Sequence, residues 1–340
     1  YMKQPDEITL AQGNGGQGMQ QLIEGLFLKV FDNPLLNEKE DQARIALADL
    51  TAQGDRLAFS TDSYVIDPII FPGGNIGKLS VCGTANDLSV GGAVPRYLSC
   101  GFILEEGLAF ETLETLVMAM AKAAQQAGIQ IVTGDTKVVP RGAADKIFIN
   151  TAGIGVIPSK IDWAASHIKA GDKIIVSGTI GDHGATILNL RENLGLEADL
   201  QSDCAVLEPM IAPLRQIDGI RALRDATRGG VTAILHEFSQ ACGCGMNVYE
   251  NKLPMKQSVR GVCELLGLEA LNFANEGKIV LVVSPQAEKQ VLEALHQHTL
   301  GQDACTIGEV TEERYIRLTG IFGTSRILDL PYNEPLPRIC

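Results

Sequence analysis

Four aspartates lie beside small residues in turn-like segments, and side chains of this type could bind a hard cation. They are Asp62, Asp87, Asp135 and Asp225. Mg²⁺ held by one or two carboxylates and by phosphate oxygens would suit such a set. Lys137 or Arg228 could supply the positive charge that phosphoryl transfer needs. Any one of these aspartates alone is more often a solvated or helix-capping residue. The set as a whole favours a Mg²⁺-nucleotide site.

A glycine-rich segment near the start of the sequence could bind phosphate. It reads Gly13-Asn14-Gly15-Gly16-Gln17-Gly18 and precedes apolar residues at helical spacing. Glycine lets backbone amides approach an anion closely, and the N-terminus of a helix adds partial positive charge. The segment matches neither the P-loop pattern nor the dinucleotide fingerprint, so a simple turn is the alternative.

Two further segments could supply an acid or a base. Glu276 lies in Asn275-Glu276-Gly277-Lys278, before an apolar run, and His183 lies in Gly181-Asp182-His183-Gly184, before a predicted helix. By themselves these residues favour an ordinary turn for the first segment and a helix-capping loop for the second. The sequence has no Gly-x-Ser-x-Gly motif to support a serine hydrolase.

The last residue of the sequence is a cysteine on a proline-rich segment. Pro331, Pro335 and Pro337 oppose a helix and favour an extended tail. From Gly323, about 17 residues at about 3.3 Å each could span roughly 55 Å, so the Cys340 thiol could reach a site elsewhere. A nucleophilic or carrier thiol is one interpretation, which composition alone leaves open. The other cysteines form no CxxC pair and are interpreted as scattered buried thiols in a reducing compartment.

Length and charge exclude several classes of protein. The 340 residues suffice for about two domains, and 45% hydrophobic with 20% charged residues is typical of a soluble globular protein. A formal net charge of −13 removes the attraction that nucleic acid or an anionic membrane would need. No apolar stretch is long enough to span a membrane, and residues 1–9 lack the apolar core of a secretory signal. We therefore expect a cytoplasmic protein.

Hydrophobic periodicity predicts a mixed α and β chain in two parts. The first part has predicted helices at 22–31, 78–89 and 111–126, and strands at 57–64, 97–104, 129–139 and 146–157. The second has predicted helices at 185–193, 205–216, 231–241, 259–266 and 286–296, and strands at 173–177, 278–283, 306–310 and 315–318. The pattern loosens near 158–171. We predict a first domain at 1–160, a second at 161–322 and a flexible tail at 323–340, each domain being α+β or α/β.

Taken together, the motifs closely resemble the HypE family of nickel-iron hydrogenase maturation factors, which are carbamoyl dehydratases. That family belongs to the superfamily of aminoimidazole ribonucleotide synthetase, selenophosphate synthetase and thiamine-phosphate kinase. The match covers essentially the whole chain and rests on segments 13–18, 61–63, 83–88, 134–139, 181–184, 225–230 and 275–278. Its most specific part is the ending Pro337-Arg338-Ile339-Cys340. One departure is Gln12, where the family often has His.

The resemblance implies a two-domain α+β fold of the aminoimidazole ribonucleotide synthetase type. The N-terminal domains of two chains would pair into a β-barrel, the C-terminal domain would be an α/β sandwich, and ATP would lie between the domains. The implied catalytic residues are Cys340, Glu276 and Lys137, and the implied Mg²⁺ ligands are Asp62, Asp87, Asp135 and Asp225. The implied ATP-binding residues are Gly15, Gly16, Asp62, Asn86, Asp87, Asp135, Thr136, Asp225, Arg228 and Gly229.

The resemblance also implies a reaction and its partners. The carbamoyltransferase HypF would load a carbamoyl group onto Cys340, and this chain, as a homodimer, would dehydrate it to a thiocyanate with ATP. The cyanide would then pass to iron on a scaffold of HypC and HypD. Two alternatives remain: a small-molecule kinase or synthetase of the same superfamily that does not need the tail, and a nonenzymatic carrier.

Overall fold

The computed structural model of the protein describes residues 6–196, 200–332 and 338–340. The helices of its first half are α1 (Gln17–Leu22), α2 (Leu28–Val30), α3 (Leu47–Thr51), α4 (Ile76–Val90) and α5 (Phe110–Ala127). A single π turn joins α1 to α2. The strands are β1 (Arg56–Tyr64), β2 (Ile70–Phe71), β3 (Gly74–Asn75), β4 (Val94–Glu105), β5 (Gln130–Val139) and β6 (Ile147–Ile157). The helices and strands predicted for this half are confirmed in type, whereas α3, β2 and β3 were not predicted.

Four of these strands form a sheet of order β1-β6-β4-β5, in which only the β4–β5 pair is parallel. Helix α4 packs on β1 and β6 and also contacts α5, with a buried apolar core between them. The approach of α4 to β1 is close because Gly83 has no side chain: a Cβ there would lie 2.2 Å from the Tyr64 hydroxyl. The small residues on α4 therefore let its polar side chains, such as Asp87, lie close to β1.

The other face of this sheet is open in the single chain. Leu57 and Phe59 on β1 and Ile103 on β4 expose 57%, 73% and 42% of their surface. Ile103 pairs with Lys137 of β5, and paired residues on neighbouring strands share a face of a sheet. Lys137 therefore lies on the open face. Side chains alternate between the two faces along β1, so Asp62 lies on the opposite face from Leu57 and Phe59, the face that α4 covers.

The second half contains α6 (Asp182–Arg191), α7 (Glu208–Ile211), α8 (Gly230–Cys242), α9 (Gln257–Leu266) and α10 (Glu288–His296). Its strands are β7 (Lys173–Val176), β8 (Ile220–Asp225), β9 (Gly245–Tyr249), β10 (Ile279–Val283), β11 (Cys305–Thr311), β12 (Ile316–Thr319) and β13 (Ser325–Ile327). They form one sheet of order β13-β12-β9-β11-β7-β10-β8, which carries apolar clusters on both faces. The α+β class is confirmed. Within the described ranges, no helix has the length and hydropathy to cross a membrane.

Four elements of the second half differ from the predictions. Strands β8 and β9 were not predicted, and β13 lies in the segment predicted to be a tail, where it pairs with β12 at the sheet edge. The helix predicted at 205–216 is α-helical only over α7 and continues as a 3₁₀ helix over Ala212–Gln216. Pro209 and Pro213 explain this, because a proline has no N–H to donate within a helix.

Helix α4 also joins the two halves. The Asn86 side-chain amide donates to the Ala205 carbonyl at 2.9 Å, and its oxygen accepts from the Leu207 amide at 2.8 Å. Nearby, a buried ion pair joins Arg215 and Glu208 at 2.7 Å. Paired and hydrogen-bonded charges are the form in which buried charges are tolerated. These contacts hold the end of α4 against the second half and place Asp87 near β8.

Candidate active site

Three of the four predicted aspartates lie close together where the two halves meet. Asp62 is on β1, Asp87 is in the last turn of α4, where it accepts a 2.8 Å hydrogen bond from the Ser60 hydroxyl, and Asp225 ends β8. Burial raises the pKa of Asp87, and the charge of Asp62 adds to the rise. Burial and then the charges of Asp87 and Asp62 raise the pKa of Asp225 to about 7. The crowding of like charges makes this cluster suited to a cation.

The aspartate cluster is not a complete metal site. Over the described part of the chain, no group of three or more His, Cys, Asp or Glu side chains is arranged to hold a metal ion. Carboxylate oxygens nevertheless fit Mg²⁺, which commonly takes one or two protein carboxylates and completes its shell with water and phosphate oxygens. The donor set therefore suits a Mg²⁺ that arrives with a nucleotide.

The turn after β8 presents Arg228 beside the cluster. Gly229 and Gly230 have φ angles of +81° and +61°, in the left-handed region that favours glycine. A Cβ on Gly230 would also lie 2.4 Å from the Leu271 carbonyl oxygen, so both glycines are needed for the tight start of α8. The Arg228 guanidinium remains exposed and donates to the Cys340 sulfur at 3.3 Å.

Asp203 holds the loop that carries Glu276. Its carboxylate accepts from the backbone amides of Glu276 and Gly277 at 2.9 and 3.2 Å, and it pairs with Lys278 at 3.2 Å. Burial alone would raise the pKa of Asp203, but Lys278 and the Glu276 amide lower it overall. An ionised Asp203 therefore fixes the loop. Asn275 completes the anchoring, because its side chain bonds the Gly181 amide at 2.8 Å and the Ala226 carbonyl at 2.9 Å.

Glu276 has an unused acceptor in a buried position. Only 4% of its surface is exposed, and its Oε1 has no hydrogen-bond partner in the described structure. Burial raises the pKa of Glu276 well above its ordinary value, and nearby acidic groups, including Cys340 and Asp225, add to the rise. A carboxyl group with a raised pKa binds a proton more readily than an ordinary glutamate and is suited to proton transfer.

The end of the chain lies in the same cleft. The Val65 amide donates to the Cys340 backbone oxygen at 3.1 Å, and Ile339 is buried in the core of the first half. Arg338 pairs with Asp145 at 2.5 Å. The structure thus brings the Cys340 thiol, Arg228, Glu276 and the aspartate cluster together. Residues 333–337 of the predicted tail lie outside the described residues.

Asp135 and Lys137 lie apart from this cluster, so the expectation that all four aspartates gather is wrong within one chain. The two residues form an exposed ion pair at 2.6 Å on the open face of the first sheet. β5 is three strands from β1, which separates the two backbones by roughly 14 Å. The exposed Gly15 and Gly16 are also on the β5 side, because neighbouring Gly13 packs against Val138.

Thr136 lies on the covered face of β5 beside an apolar cavity. The cavity has a volume of about 160 Å³. It is lined by Met19, Ile23, Phe27, Leu28, Phe31, Leu36, Cys100, Phe102, Ile131, Thr133, Gly134, Asp135 and Thr136. A mainly apolar cavity therefore borders the Asp135 segment.

Two residues from the motifs have structural partners instead. Asn86 is only 2% exposed and uses both polar atoms of its side chain between the halves, which argues against direct contact with a nucleotide. Gln12 accepts from the Thr9 amide and hydroxyl at 2.8 and 2.7 Å, in a capping box that closes the turn before the glycine-rich segment. Gln12, which replaces the histidine common in the family, thus stabilises its own loop.

Comparisons with known proteins bear on the family of the whole chain. Family models described as "AIR synthase related protein", N-terminal and C-terminal domain, match residues 39–157 and 169–321. The carbamoyl dehydratase HypE of Escherichia coli (strain K12) is 67% identical over 335 residues, covering 98% of this chain and 100% of that protein. This chain belongs to the HypE family.

Two solved HypE structures are also similar. A hydrogenase maturation protein HypE in complex with ATP has a TM-score of 0.92 and 44% identity, covering 97% of this chain and 99% of that chain. A chain of a HypE-HypF complex has a TM-score of 0.79 and 44% identity, covering 91% of this chain and 99% of that chain. The HypE fold therefore extends over nearly the whole sequence.

Sequence reasoning missed the residues that hold this HypE-family site in place. Asp203, Ser202 and Val65 stand in no recognisable motif, and each acts through contacts to residues distant in the sequence. Asn275 stands in a motif, but its residue type alone indicates no anchoring role. The only available signal was the position of Asn275 directly before Glu276.

We expect Asp225→Asn to stabilise the nucleotide-free protein at alkaline pH. The folded-state pKa of about 7 lies above the ordinary value, so folding loses stability as pH rises from about 4 through about 7. Removal of the charge should raise the free energy of unfolding at pH 8 by on the order of 2 kcal/mol, with a smaller gain at pH 5.5. Urea unfolding at both pH values measures this.

Asp135→Asn is the matched control for that experiment. Lys137 lowers the pKa of the exposed Asp135 carboxyl, so neutralising this residue should give no gain at pH 8. If Asp225→Asn were less stable than the wild type at pH 8 without nucleotide, the negative charge of Asp225 would not destabilise the folded state, and the expectation would be wrong.

Proposed function

We propose that this chain carries a carbamoyl group on the Cys340 thiol and uses ATP to dehydrate it to a thiocyanate, the source of the cyanide ligand for the iron of nickel-iron hydrogenase. One observation carries the proposal. The Cys340 sulfur lies 3.3 Å from the Arg228 guanidinium, in the cleft that holds the aspartate cluster and the unpartnered Oε1 of Glu276. Membership of the HypE family supports it.

The chemistry requires a leaving group and a base. The oxygen of a thiocarbamate is a poor leaving group, and transfer of the γ-phosphoryl group of ATP to that oxygen makes it leave as phosphate. Both protons on the nitrogen must depart as the C≡N bond forms. The thiocarbamate and ATP thus yield thiocyanate, ADP, phosphate and one proton. The carbon keeps its bond to the Cys340 sulfur throughout.

The residues of the cleft have corresponding roles. Glu276 accepts a proton from the carboxamide nitrogen, and Arg228 orients the group on the sulfur and offsets negative charge. Asp62, Asp87 and Asp225 would hold Mg²⁺, which when bound would neutralise charge on the phosphates. An ATP complex of a HypE with 44% identity to this chain supports nucleotide binding.

A homodimer would complete the site. The open face of the first sheet exposes Leu57, Phe59 and Ile103, and a second copy that closes a β-barrel over it would bury these side chains. The exposed edges, β1 and β5, would then come near their counterparts in the partner. In this arrangement Lys137 and Asp135 serve the aspartate cluster of the other copy, and the apolar cavity beside Thr136 receives the base of the nucleotide.

The partners follow from the same proposal. HypF supplies the carbamoyl group, in keeping with the solved HypE-HypF complex of a relative. HypC and HypD receive the cyanide, and the reaction takes place in the cytoplasm. The net charge of −13 remains unfavourable for nucleic acid.

Intact-mass measurement tests this function. With HypF, carbamoyl phosphate and ATP, the chain should gain one carbamoyl group, and the purified carbamoylated chain should lose one water after ATP is added. A variant that lacks residues 331–340 should do neither. A small-molecule kinase would keep its turnover without the tail, and a nonenzymatic carrier would gain the carbamoyl group but never lose water. Either of these results would overturn the proposal.

A further inference from the structure

His183 is a buried side chain to which the proposed chemistry gives no role. It stands in the first turn of α6 and is fully buried. Its Nδ1 lies 2.7 Å from the Ser202 hydroxyl and its Nε2 lies 2.5 Å from the Ile339 carbonyl oxygen. The edge of the ring meets the Phe71 ring, with centroids 5.5 Å apart. Both ring nitrogens are therefore engaged, and one of them holds the chain end.

The partners determine which ring nitrogen carries the proton. The Ile339 carbonyl can only accept, so His183 Nε2 must donate. Burial lowers the pKa of His183, against smaller contributions from Ile339 and Asp203, which favours the neutral ring. A neutral ring with a proton on Nε2 accepts at Nδ1, and the Ser202 hydroxyl donates to it. The Ser202 oxygen in turn accepts from the Cys204 amide at 3.1 Å.

We propose that His183, oriented by Ser202, is a positioning residue that holds the docked tail and thereby places Cys340 for dehydration. The Ile339 carbonyl belongs to the planar peptide unit that leads into Cys340, so fixing it fixes the direction in which Cys340 leaves the core. Val65 from the first half holds the next backbone oxygen at 3.1 Å. The tail is thus clamped from both halves, and its thiol faces Arg228.

The inference rests on the proposed function, and it predicts different effects on the two stages of that function, loading of Cys340 and dehydration. Under the proposed function, loading presents Cys340 to HypF, and this stage does not need the clamp. Dehydration requires the thiol in this cleft. Loss of a buried hydrogen bond that also leaves its partner unpaired should lower the docked fraction by about 10- to 100-fold. Variants of His183 should therefore lose dehydration while retaining carbamoylation.

The decisive variants are His183→Leu, which removes both hydrogen bonds, and His183→Gln, whose amide can donate near the position of Nε2. We expect His183→Leu to react with iodoacetamide at Cys340 about 10-fold or more faster than the wild type. Single-turnover dehydration of its carbamoylated form should slow by about 10- to 100-fold. Glutamine should restore most of both properties. If His183 were an acid or base in the chemistry, glutamine would be as impaired as leucine, and alkylation would not change.

His296→Leu is the matched control, since His296 also bonds a backbone carbonyl, that of Ala304, at 2.8 Å but away from the tail. It should leave both rates unchanged. Should His183→Leu fail to fold, Ser202→Ala tests the same point. It keeps the imidazole ring but removes the hydroxyl that orients it, so faster alkylation of Cys340 and slower dehydration are again expected. Unchanged alkylation of Cys340 in a folded variant overturns the inference. The alkylation rate needs no carbamoyl chemistry, so failure of the wild type to dehydrate would count against the proposed function and not against the clamp.

Discussion

Cys340→Ala should abolish carbamoylation completely while leaving ATP binding unchanged. The thiol is the proposed point of attachment, and alanine offers no nucleophile that could accept the carbamoyl group. The Glu276 loop does not depend on the sulfur, since Asp203 and Asn275 hold it, and Asp87 is held by Ser60. Intact mass after incubation with HypF, carbamoyl phosphate and ATP measures the loading, and calorimetry measures nucleotide affinity.

Cys305→Ala is the control, because Cys305 is another partly buried free cysteine, placed on β11 away from the cleft. It should be carbamoylated like the wild type. A carbamoyl mass on Cys340→Ala would show that the carrier is a different residue, and peptide mapping of that product would locate it.

Glu276→Gln should slow dehydration by about 10²- to 10⁴-fold, the usual contribution of a positioned base. The amide keeps the shape of the carboxyl group, so folding, nucleotide binding and carbamoylation at Cys340 should be retained. Single-turnover loss of water from carbamoylated protein after ATP addition isolates this step. Glu309→Gln, which breaks an ion pair with Lys173 outside the cleft, should dehydrate at the wild-type rate.

The pH profile provides a second readout for Glu276. Its pKa lies above the ordinary value, and a base acts only when ionised, so the wild-type rate should rise with pH through an apparent pKa above the usual range of glutamate. The glutamine variant should lack this rise. Dehydration by Glu276→Gln at the wild-type rate would mean that Glu276 merely closes the turn before β10.

Much of the architecture could be predicted because it depends on local patterns. Alternating apolar residues identified β1, and the helical spacing from Leu113 to Met120 identified α5, whose end at Gly128 has a left-handed conformation. The turn that follows Asp225 was visible for the same reason, since Gly229 and Gly230 after the end of a strand are a local signal. Asp62, Asp87 and Asp135, which were expected beside turns, lie within β1, α4 and β5. Strand β8 was missed because Arg221 and Arg224 interrupt the run of apolar residues that would mark a buried strand.

The chemistry of the residues was thus determined by the sequence itself: aspartates for a hard cation, a glutamate in a turn and a thiol at the end of a proline-rich segment. Which of them meet was decided only by the tertiary structure. Asp62 and Lys137 point to opposite faces of one sheet, because side chains alternate along a strand and strand order sets their distance. The bond from His183 to Ile339 spans 156 positions, and such a contact depends on packing that no local pattern encodes.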